Sequence, residues 1–137
     1  MDRKDLQALS RVRLSEARAL LKAGLPDGAY YLAGYAVECA LKACIAEETQ
    51  RYEFPEKKRV DASYTHSFKE LIRVAELRDA LQAAQEADPL FRQYWIDVQS
   101  WSEQSRYGKH SQESATELIE AIGDRNHGVM TWVKHYW

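Results

Sequence analysis

The chain has 137 residues, a formal net charge of -2, 45% hydrophobic and 29% charged residues. That composition belongs to a folded globular chain of about one domain and excludes a disordered tail; the charge balance gives no sign of a general nucleic-acid binder or a basic membrane-surface module. Residues 1–137 are therefore read as a single all-α domain, an up-and-down antiparallel bundle of four or five helices that needs no disulfide, metal or cofactor.

The charged start, Met1-Asp2-Arg3-Lys4-Asp5, is unlike a signal peptide. A first helix is predicted from about Arg3 to Ala23, with Leu14, Ala17, Leu20 and Leu21 on one face, Gly24 as its C-cap and Pro26 as a stop. Asp27 is then placed to cap a second helix, about Gly28 to Glu48. There Ala33, Ala36, Ala40 and Ala43 make a small-residue strip beside Val37, Leu41 and Ile45, the pattern of a central helix with neighbours on most sides. Glu38 and Lys42 interrupt the weakly charged run from Ala29 to Ala46, so it is not a membrane span. Cys39 and Cys44 point in different directions on this helix and are expected to be buried thiols of a cytoplasmic protein, with no zinc pattern around them.

Arg51 to Ser63 reads as a charged connection, either a solvated loop or, through Lys57-Lys58-Arg59, a basic lip beside a site. Ser67 and Glu70 match a capping box that opens a short apolar face, Phe68, Leu71, Ile72 and Ala75, continued by Leu77, Leu81 and Ala84 after a kink. Asp88-Pro89 restarts the chain as cap and first-turn proline. Phe91, Tyr94, Trp95, Val98 and Trp101 follow at helical spacing, as core or dimer interface rather than a base-stacking platform. Ser111 caps the last helix, whose buried face runs through Ala115, Leu118, Ile119 and Ile122 to Val129 and Val133; Gly123 and Gly128 mark a kink, a close contact or an end.

Three polar groups stand out. Glu38 is costly to bury alone, so it either pairs with Lys42 one turn on at the surface or reaches an arginine of another helix, for which Arg106 is the preferred partner. Arg106-Tyr107-Gly108-Lys109-His110 joins a guanidinium fork suited to phosphate to an imidazole suited to proton transfer, the pair a metal-independent ribonuclease would use. Asn126, near the apolar face set by Ile122 and Val129, is a buried hydrogen-bonding residue, an interface residue or a pocket residue. His66 and His135 read as surface or cap histidines, and no phosphate-binding loop, dinucleotide fingerprint or HExxH is present.

The run Ala29-Tyr30-Tyr31-Leu32-Ala33-Gly34-Tyr35-Ala36-Val37-Glu38-Cys39-Ala40-Leu41-Lys42-Ala43, then His66-Ser67-Phe68-Lys69-Glu70-Leu71, then Ser105-Arg106-Tyr107, resembles the HEPN family. The resemblance implies a helical bundle that commonly dimerises, often beside a minimal nucleotidyltransferase in a toxin–antitoxin pair. In its ribonuclease members an arginine is followed after four to six residues by a histidine. Here Arg106 and His110 have only three residues between them. The departure favours a subunit that binds a nucleotidyltransferase partner, a nucleotide or both, with Glu38, Lys42, Arg106, Tyr107, Lys109 and Asn126 as the polar site. The rivals are an RNA-cleaving toxin using Arg106 and His110, and a structural adaptor.

Overall fold

A computed structural model describes residues 1–51 and 63–137, with side chains described outside 48–62. The proposed basic lip at Lys57-Lys58-Arg59 lies outside the described residues. The described chain is all-α: α1 (Arg3–Lys22), α2 (Pro26–Arg51), α3 (Phe68–Val74), α4 (Arg78–Ala87), α5 (Pro89–Gln99), a 3-10 turn (Glu103–Tyr107), α6 (Gln112–Gly123) and α7 (Val129–Val133).

Seven α-helices among the described residues correct the expectation of four or five. The two extra helices arise where one continuous helix was expected, and each break has a local cause. After α3, Leu77 N–H donates to Ile72 O at 2.9 Å and Glu76 N–H to Arg73 O at 3.0 Å, the paired bonds of a Schellman stop. Glu76 takes the left-handed conformation, φ 59°, that this stop requires. No glycine marks the position, so the sequence signal is weak. Between α6 and α7, Asp124 Oδ1 accepts from the backbone N–H groups of Asn126 and His127, both at 2.9 Å. Gly128 packs against Asp124 and Ile122 backbone so closely that a Cβ would not fit. Of the three readings open for the two glycines, an end to the helix and a close contact are both realised: the helix ends at Gly123, which lies against the Arg18 side chain of α1.

The other boundaries follow ordinary chemistry. Asp2 caps α1, accepting from Asp5 N–H at 2.8 Å while Asp5 accepts from Asp2 N–H at 3.1 Å. Gly24, φ 78°, closes the same helix. Ser67 caps α3, although the Glu70 carboxylate pairs with Arg73 at 2.9 Å. α2 begins at Pro26, two residues earlier than expected, and Asp27 accepts from His110 N–H at 2.6 Å, which ties the start of α2 to the segment before α6.

α1 and α2 run antiparallel. Arg3 pairs with Glu47 at 2.9 Å near one end, Ser10 Oγ donates to Ala36 O at 2.7 Å near the middle, and Leu20 meets Gly28 at the other end. Ala29, Ala33, Ala36, Val37, Ala40 and Leu41 of α2 are all fully buried, so α2 is the central helix. Its short side chains let α1, α6 and the 3-10 turn approach it closely. The tightest approach is at Gly34, where the Trp101 indole lies against the backbone in the space a Cβ would take. No described helix is long and apolar enough to cross a membrane.

Asp88 does two jobs. Its Oδ1 accepts from the N–H groups of Leu90 and Phe91 at 3.1 and 3.2 Å, capping α5, while Oδ2 lies 2.6 Å from His127 Nδ1. The hydrogen bond with His127 holds the Asp88 carboxyl below its ordinary range, and the same bond raises the His127 imidazole.

Two outcomes follow from this packing. Gly34→Ala gains roughly 1 kcal/mol of helix propensity but overpacks the indole, and a net loss of about 1–3 kcal/mol is expected in urea denaturation. The His127 contribution to stability is complete below about pH 6.5 and fades as pH rises through its raised value; that of Asp88 is present above about pH 4 and fades as pH falls through its lowered value. His127→Gln should therefore lower the melting temperature most near about pH 5 and least above about pH 8. A loss that is flat with pH would contradict the ion pair.

Candidate functional site

A row of alternating charge crosses the exposed side of α2. Its most buried member is Glu38, 2% exposed in the middle of the alanine-rich helix. Position alone buries this carboxylate: its neighbours on the helix face the core, and water cannot solvate it. Lys42 Nζ stands 3.3 Å from Glu38 Oε2, one turn along the same helix. His66 Nδ1 lies 3.0 Å from both oxygens. The other ring nitrogen, Nε2, lies 3.3 Å from Glu103 Oε2. Glu103 in turn accepts from Arg106 Nη2 at 3.2 Å. The order is Lys42, Glu38, His66, Glu103, Arg106, with the imidazole between two carboxylates.

Glu38 therefore combines elements of both readings made for it. It does pair with Lys42, yet it is buried, and its partner from outside α2 is His66 rather than Arg106. Arg106 belongs to the same row, one carboxylate further out. His66 and Glu103 are the site residues that sequence reasoning missed. His66 precedes the α3 cap, a position that also suits an ordinary surface histidine, and the turn that brings Glu103 opposite it is set by Trp101.

Aromatic rings line the outer half of the row. The Arg106 guanidinium carbon lies 5.8 Å from the centroid of Tyr31 and 5.1 Å from that of Tyr107. Tyr31 stacks on Trp101 with centroids 6.0 Å apart, and Trp101 stacks on Phe68 at 5.1 Å. Tyr107 is 75% exposed, and Lys109 beside it is exposed as well. His110 lies flat on Tyr30, centroids 3.7 Å apart and planes 8° apart, with Nε2 3.4 Å from Ser105 O. Arg106 and His110 are thus engaged separately, one on Glu103 and the other on Tyr30. Asn126 is exposed in the α6–α7 turn, its N–H donating to Asp124, and is not the buried residue its spacing suggested.

The two thiols are buried free cysteines. Burial, helped by the Glu38 charge, pushes the Cys39 thiol up to about 11, and burial pushes Cys44 up to about 12. Neither is a nucleophile at neutral pH. Burial also raises the Tyr35 phenol, which stacks on Tyr31. Among the described residues no group of three His, Cys, Asp or Glu side chains could hold a metal ion. What the site offers is a guanidinium with donors to spare, an exposed lysine and an exposed phenol ring, in front of a charge row anchored in the core.

The family described as HEPN domain matches residues 7–136 of the chain. No curated protein and no solved structure matches it.

The burial of Glu38 makes its two helix partners unequal. Lys42→Met strands a buried carboxylate with His66 alone and is expected to cost about 2–3 kcal/mol. Glu38→Gln leaves a lysine that can turn to water and should cost about 1 kcal/mol. Equal losses in chemical denaturation would show that Glu38 is solvated.

Proposed function

The chain belongs to the HEPN domain family, and from that premise we propose that it is a non-catalytic binding subunit, which engages a nucleotidyltransferase partner or its nucleotide through Arg106, Tyr107 and Lys109. The observation that carries this reading is the exposed Tyr107 ring with the Arg106 guanidinium 5.1 Å from its centroid. A base can stack on the phenol while Arg106 and Lys109 meet phosphate, and a protein surface carrying a carboxylate and an aromatic ring would use the same groups. Glu38, Lys42, His66 and Glu103 position this face: they hold the Arg106 turn against α2 without themselves facing the ligand. The working unit is residues 1–137 as one cytoplasmic domain, paired as a homodimer, within a toxin–antitoxin pair.

The separate engagement of Arg106 and His110 weighs against the ribonuclease alternative. A phosphodiester would need both groups on one phosphate, and here the imidazole is stacked on Tyr30 while the guanidinium is partly neutralised by Glu103.

Calorimetric titration of the purified chain with ATP, alone and with a nucleotidyltransferase encoded beside it, tests the proposal. Binding of either with a Kd of about 100 μM or tighter is expected, weakened about tenfold or more by Tyr107→Ala and by Arg106→Gln. No binding of either at about 1 mM overturns it. Cleavage of RNA in EDTA that is lost in His110→Ala would overturn it in favour of the ribonuclease.

A further inference from the structure

Next to His66, residues of the start of α3, of α4 and of the end of α5 line a groove of about 880 Å³. That is within the range of about 300–1,000 Å³ of small-molecule sites. Edges of Phe68, Trp95 and Trp101 form its floor, and Leu81 and Ile96 line its walls. Ile96 is 42% exposed and so presents apolar surface at the groove.

The charge in the groove has one sign. Lys69 and Arg78 stand on it, from α3 and α4, and His66 closes the end next to the row. No aspartate or glutamate is among its described lining residues, although acidic residues outnumber basic ones in the chain, 21 to 19. The nearest acidic residue in sequence to Lys69, Glu70, is engaged with Arg73 at 2.9 Å. Three amide side chains, Gln82, Gln85 and Gln99, also line the groove and can donate and accept, with Gln82 Nε2 donating to Glu86 Oε1 at 2.9 Å. A ligand that matches this lining has an apolar, ring-like body for the aromatic edges and one anionic head for the cations.

We propose that this groove is a binding site for a small amphiphilic anion, a flat apolar body bearing a carboxylate or phosphate, with Lys69 and Arg78 holding the head and Trp95 and Trp101 underlying the body. An inorganic anion alone would leave the aromatic edges wet, and a neutral ring compound would leave Lys69 and Arg78 without an anion. The groove shares His66 and Trp101 with the charge row, but none of Arg106, Tyr107 and Lys109 lines it.

The test uses 2-naphthoate as probe, with 2-naphthamide as its neutral counterpart and 2-naphthylmethylammonium as its cationic one. Calorimetry on the full chain reads affinity, and amide shifts in 1H–15N spectra read the location. The expected result is that 2-naphthoate binds about tenfold or more tightly than either counterpart, with shifts confined to residues 66–72, 78–85 and 95–102. Lys69→Gln/Arg78→Gln should lose that preference while melting as the parent does, since both side chains are exposed. Equal binding of the three probes, shifts elsewhere, or an undiminished preference in the double variant would each overturn the assignment. So would binding by an acidic peptide at this groove with none by 2-naphthoate, which would make it a protein-docking surface.

Discussion

The contact between the Trp101 indole and the bare backbone at Gly34 fixes where everything on the exposed side of α2 can stand. It brings the chain leaving α5 down onto the central helix. The indole N–H pays for this position, being buried without a hydrogen-bond partner among the described residues, a loss of about 1–3 kcal/mol. Burial of an aromatic surface of about 150–250 Å², worth roughly 4–6 kcal/mol, outweighs it. Phe68 stacks on the same ring, so the start of α3 is set by it too. With both segments placed, Glu103 and His66 face each other, and His66 faces Glu38.

The buried carboxylate gives that arrangement its polarity. An alanine-rich helix surrounded by neighbours offers Glu38 almost no water, and nearby polar groups take its place: an ammonium from its own helix and an imidazole from the chain before α3. His66 and Glu103 are far more exposed than Glu38, and the row ends on a guanidinium at the surface with about half its side chain in solvent. The gradient joins a rigid interior to a face that can exchange partners, since the outer bonds compete with water and the inner ones do not.

Much of the helical content was legible in the sequence because periodicity and caps agree there. Gly24, Ser67, Asp88-Pro89 and Ser111 each stop or start an element by a side chain with a known backbone preference, and the small-residue strip of α2 announces a central helix. The number of helices was not legible. The stop at Glu76 uses a residue that ordinarily avoids the left-handed region, and the pattern of apolar residues runs on across it through Leu77 and Leu81. Asp27 looked like a cap and instead holds a backbone N–H from residue 110, a partner 83 positions away. Glu38, Lys42 and Arg106 stand out in the sequence because charges within apolar or aromatic surroundings are conspicuous. The contact between His66 and Glu103 is not legible there, because the fold makes it between segments far apart in the chain.

The two silent thiols of α2 have a practical consequence. Both sulfurs lie inside the packed bundle and keep their protons far above neutrality, and the Cys44 Sγ is turned toward Val133 O at 3.7 Å. A cysteine engineered onto the outside would be the fast-reacting thiol of the folded chain. Maleimide dyes or spin labels could then be attached there at neutral pH with the native pair left in place, and distances across the helices measured in a chain whose interior carries its own sequence.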